Sequence, residues 1–89
     1  MLVVIKTHPT TATALHHRER STAAEELLQA VHGLGLDLAP MHPGAGDSEL
    51  IQYFSIEVPD RAAAERLIHR LEQMPMIEAA YLKPDDELP

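Results

Sequence analysis

Glu49-Leu50-Ile51-Gln52-Tyr53-Phe54-Ser55-Ile56-Glu57-Val58-Pro59-Asp60 carries the clearest structural signal in the chain. Successive side chains of a strand point to opposite faces. From Glu49 to Val58, Gln52, Phe54, Ile56 and Val58 therefore share one face, and Ile51, Tyr53, Ser55 and Glu57 the other. The first face is apolar enough to sit on a core. The second is not fully polar, which leaves an apolar surface to be explained. Pro59 and Asp60 then close the strand and open a helix, with Asp60 as its N-cap. Ala63 or Ala64, Leu67, Leu71 and Met74 form the buried stripe of that helix, and Pro75 stops it. Ile77 to Lys83 reads as a final strand, followed by a proline-rich and acidic segment, residues 84–89.

The upstream half repeats the pattern. Leu2 to Thr7 is a β-branched run closed by His8-Pro9, the mark of a buried strand. Residues 9–20 show no clear period and read as a loop, with a helical turn near Ala14 to Arg18. Thr22 and Glu25 have the spacing of a capping box. Ala24, Leu27, Leu28 and Val31 follow at the spacing of one helical face, and Gly33 or Gly35 ends that helix. Leu36 to Met41 is a short alternating strand, and residues 43–48 form a turn.

The element order is strand, helix, strand, strand, helix, strand. That order predicts an α+β domain, a ferredoxin-like βαββαβ sandwich. Right-handed crossovers put both helices on one face of a four-stranded antiparallel sheet. The other face then has no cover within the chain, and Ile51, Tyr53, Ser55 and Glu57 become candidate binding residues. The expected organisation is one domain over residues 1–83, with residues 84–89 as an extended acidic tail.

Composition narrows the chemistry. The chain has 89 residues, 45% of them apolar, enough for one core. It has no cysteine, so disulfides, thiolate metal sites and cysteine nucleophiles are excluded from it. The formal charge is −7, and its basic residues are scattered. Nucleic acid and anionic membranes, which need clustered Lys and Arg, are not expected partners. The opening run Leu2-Val3-Val4-Ile5 is too short for a signal peptide, and no apolar run approaches the roughly 20 residues of a membrane span. Read as it stands, the chain is expected in the cytoplasm. No nucleophile elbow, phosphate loop, dinucleotide fingerprint or zinc-protease motif is present. Of the 6 histidines, His8, His16, His17 and His42 fall in loop regions with nothing to force convergence on a metal. We therefore expect no catalysis, no cofactor and no metal.

The downstream half is similar to a known family. Met74-Pro75-Met76-Ile77-Glu78-Ala79-Ala80-Tyr81-Leu82-Lys83-Pro84-Asp85, following a helix, resembles the end of a subtilisin-type propeptide, of the peptidase-inhibitor propeptide family. The strand Tyr53 to Val58 and the second helix also fit, so the likeness covers residues 49–86. Met76 stands where the family has glycine, and the connection at residues 8–20 is longer than a minimal propeptide needs. The resemblance implies a partner, a subtilisin-like serine protease, bound in cis or in trans. It implies docking through Ile51, Tyr53, Ser55 and Glu57 on the open sheet face. Pro84, Asp85, Asp86, Glu87, Leu88 and Pro89 would enter the active-site cleft as an added strand. Glu78, Asp85 and Asp86 would cap protease helices, whose N-termini favour anions. The other expectation for the same face is pairing with a second copy, as a self-associating or ligand-sensing module.

Overall fold

A computed structural model describes residues 1–44 and 46–83. The elements are β1 (Leu2–Thr7), α1 (Pro9–His17), α2 (Thr22–Gly33), β2 (Leu38–Pro40), a 3-10 turn (Leu50–Gln52), β3 (Tyr53–Glu57), α3 (Arg61–Glu72) and β4 (Ile77–Lys83). The strands form one antiparallel sheet in the order β2-β3-β1-β4, which is the ferredoxin-like arrangement. Residues 84–89, including the expected tail contacts of Pro84, Asp85, Asp86, Glu87, Leu88 and Pro89, lie outside the described residues.

All three helices contribute to a core on one side of the sheet. Val3 and Ile5 of β1, Phe54 and Ile56 of β3, and Val58 meet Ala12 of α1, Leu27 and Val31 of α2, and Ala64, Leu67 and Leu71 of α3. With so few aromatics the core relies on aliphatic interdigitation around a single phenylalanine, Phe54. The β3 alternation is as the sequence predicts: Phe54, Ile56 and Val58 are buried, and Glu57 is exposed. Asp60 caps α3, its Oδ1 accepting the Ala63 N–H at 2.8 Å.

Four expectations are corrected. The segment after β1 is not a loop with one turn but a helix, so the sheet carries three helices where two were expected. Pro9 suits the first helical position, where its missing N–H costs nothing. The buried side chains of α1 are Thr11, Ala12 and Ala14, too small to give an apolar stripe in sequence. Ser21, not Thr22, caps α2: it is extended, and its Oγ accepts the Ala24 N–H at 3.3 Å. Thr22 is already helical, so Glu25 sits one position too far along to close a capping box. On α2 the fourth buried position is Ala30, while Leu28 is only half-buried. Finally, the alternation before Tyr53 belongs to the 3-10 turn and not to the strand. Asp47 Oδ1 accepts the N–H groups of Glu49 at 2.7 Å and Leu50 at 3.2 Å, winding the chain before β3 begins.

Candidate functional site: the open sheet face

The register places every side chain of the uncovered face. Tyr53, Lys6 and Ala79 form one row across β3, β1 and β4. Ser55, Val4 and Tyr81 form the next, and Glu57, Leu2 and Lys83 the third. Ala39 of β2 lies beside Ser55. The face thus has an apolar and aromatic middle between charged ends.

Val4 shows how this surface is packed. It points away from the helices, yet it is only 2% exposed. No element of the described chain covers that side, so its neighbours on the same face must cover it. Tyr81, directly across from Val4, is 50% exposed. An aromatic ring half open to water on an otherwise apolar part of the face is suited to contact with a partner.

Lys6 organises the upper end. Its Nζ lies 5.7 Å from the centroid of the Tyr53 ring, 3.8 Å from Glu78 Oε1 and 4.0 Å from Glu49 Oε2. His8 Nδ1 is 3.3 Å from the other Glu78 oxygen. Glu78 reaches this cluster because the β1–β4 register shifts between Lys6 and Thr7 and leaves it as the extra residue. Partly exposed pairs of this kind contribute about 0–1 kcal/mol each, so their main effect is to fix side-chain positions. At the lower end the Met1 ammonium lies 3.3 Å from Glu57 Oε2.

Among the expected site residues, Tyr53, Ser55 and Glu57 share the open face, and Glu78 stands at its upper corner. Ile51 does not join them. It belongs to the 3-10 turn and packs toward the core, where its carbonyl accepts the Nε2–H of His16 at 2.9 Å. Residues missed in the sequence are Leu2, Val4, Lys6 and Tyr81. The Ala79, Tyr81, Lys83 alternation was a readable signal for Tyr81. Nothing in the all-apolar run Leu2-Val3-Val4-Ile5 separates its two faces.

Apart from the open face, a concavity of about 720 Å³ lies between α1, α2 and β2. Leu15, Leu28, Leu38 and Phe54 line it together with His16 and Arg18. Arg18 ends α1 in the left-handed conformation, φ 55°, which a non-glycine residue adopts at a cost. Among the described residues no group of three or more His, Asp or Glu side chains converges to hold a metal. No described helix is long and apolar enough to cross a membrane. Comparison with known proteins found no matching family model, no matching curated protein and no matching solved structure.

Proposed function

We propose that this chain is a protein-binding module that docks its open sheet face on a subtilisin-like serine protease and acts by binding, not by catalysis. The observation that carries the reading is a sheet face with a tyrosine-lined apolar middle that no helix of the described chain covers. The sequence resemblance over residues 49–86 supplies the class of partner. In this reading Tyr53, Ser55 and Glu57 act with Val4 and Tyr81 as the contact surface. Glu78, held by Lys6 and His8, presents a carboxylate to a protease helix N-terminus. Residues 84–89 follow β4 directly and enter the cleft as a substrate-like strand, with main-chain hydrogen bonds supplying affinity.

The test is inhibition of subtilisin-type proteases by the purified chain. Tyr53→Ser combined with Tyr81→Ser should weaken inhibition at least tenfold, about 1.4 kcal/mol, while the variant stays folded. Undiminished inhibition would remove the sheet face from the mechanism. Failure of the unmodified chain to bind any subtilisin-type protease would reject the partner.

A further inference from the structure

The two edges of the sheet are built differently. The β2 edge is three residues long and ends in Pro40, which has no N–H to offer a further strand. The β4 edge is seven residues long and contains no proline. Its one irregularity, at Glu78, lies near its start and leaves Ala79 to Lys83 in regular register.

The hydrogen-bond phase of the sheet shows which groups on that edge have no partner among the described residues. The Met1 nitrogen donates to the Val58 carbonyl at 3.2 Å, and the Val58 N–H donates to the Met1 carbonyl at 2.8 Å. Bonded and non-bonded pairs alternate along an antiparallel ladder. Val3–Ile56 and Ile5–Phe54 are therefore bonded pairs, and Leu2, Val4 and Lys6 turn their backbone groups toward β4. Their partners there are Lys83, Tyr81 and Ala79. Past the irregularity, the His8 N–H reaches the Met76 carbonyl at 3.0 Å, in the same phase. Ala80 and Leu82 consequently aim their N–H and C=O groups outward, at nothing in the described chain.

We infer that the β4 edge is a self-association site, at which a second copy of this chain adds its own β4 antiparallel about a two-fold axis through Tyr81. In that register Ala80 of each copy opposes Leu82 of the other, and the outward groups of both residues are satisfied mutually. Tyr81 faces its own counterpart across the axis, an aromatic cross-strand pair favoured in antiparallel sheets. Lys83 of each copy comes opposite Ala79 and diagonal to Glu78 of the other, so the two ends of the strand carry complementary charge. This self-complementarity singles out a second copy over an unrelated strand, because an isologous interface needs one patch to match itself. The result is a continuous eight-stranded sheet, twice four, closed at both ends by the blunted β2 edge.

The experiment is the mass of the full 89-residue chain in solution, with amide exchange measured on the same samples. Mass should rise from monomer toward dimer between about 5 and 500 µM, as befits a small interface. The Ala80 and Leu82 amides should gain protection over that range, while those of Ala79 and Tyr81 stay protected throughout. Ala80→Pro removes only an outward N–H, so it should abolish dimerisation and keep the fold. Tyr81→Lys, which sets like charges across the axis, should weaken dimerisation at least tenfold and covers the case in which the proline variant does not fold. A monomer at every concentration overturns the inference. So does a dimer in which the Ala80 and Leu82 amides still exchange freely, or a Tyr81→Lys variant that associates as the unmodified chain does.

Discussion

Phe54 and its chain neighbour Tyr53 point to opposite sides of the same strand, so replacing each tests the whole architecture. Phe54 is 2% exposed, and its ring centroid lies 5.3 Å from that of His16, within the cluster that joins all three helices to the sheet. Phe54→Ala removes the core's only aromatic ring and should cost about 3–5 kcal/mol, through lost transfer energy and the cavity left behind. A chain of this length has a total stability of roughly 4–13 kcal/mol. The loss is therefore a large share of the whole, and each kcal/mol corresponds to a fall of about 4–8 °C in melting temperature. Tyr53→Ser removes a half-buried ring on the open face and its contact with Lys6. Such a contact contributes about 0.5–1 kcal/mol, so a loss near 1 kcal/mol is expected. Urea titrations followed by circular dichroism measure both. Equal losses for the two variants, or a larger loss at Tyr53, would refute the placement of Tyr53 on an open face and with it the proposed docking surface.

The capping of α2 separates two adjacent hydroxyls. Ser21→Ala should cost about 1 kcal/mol, while Thr22→Ala should stay within about 0.5 kcal/mol; thermal melts of the two variants decide between them. Asp47→Ala removes the acceptor for two backbone N–H groups ahead of β3. It should cost about 1 kcal/mol and speed amide exchange at Glu49 and Leu50. If the proposed docking on a subtilisin-like protease holds, deleting residues 84–89 should keep the fold and weaken inhibition of such a protease at least tenfold, about 1.4 kcal/mol; inhibition constants of full and shortened chains provide the comparison.

The half from Tyr53 onward was legible because its signals are strong and local. A clean alternation, an aspartate cap, a leucine stripe and a stopping proline all agree there. The α1 helix was not, because it buries alanine and threonine and has no side-chain cap. Its stability comes from tertiary contact with α2 and the 3-10 turn. Ile51 was misplaced for a related reason: period-two alternation continues through Glu49 to Gln52, and only Asp47 upstream announces that the chain winds there. Of the candidate face, the part on β3 was readable. Val4 was not, since a valine on the open side of a β-branched run has no mark in sequence, and its neighbours across the sheet come from β3 and β4, far along the chain.

Central strand β1 has a further consequence, for the rate at which the fold is reached. Val4 pairs with Ser55 on one side and Tyr81 on the other, so neither of its ladders can form between near neighbours in sequence. Loop-closure entropy must be spent before either pairing returns any stabilisation, and that delays chains dominated by distant contacts. The α3–β4 segment, whose contacts are local, is the natural place for structure to begin. We expect the insertion of β1 between β3 and β4 to be the slow step. Substitutions at Val3 or Ile5 should then slow folding more than they accelerate unfolding, and stopped-flow measurement of both rates checks it.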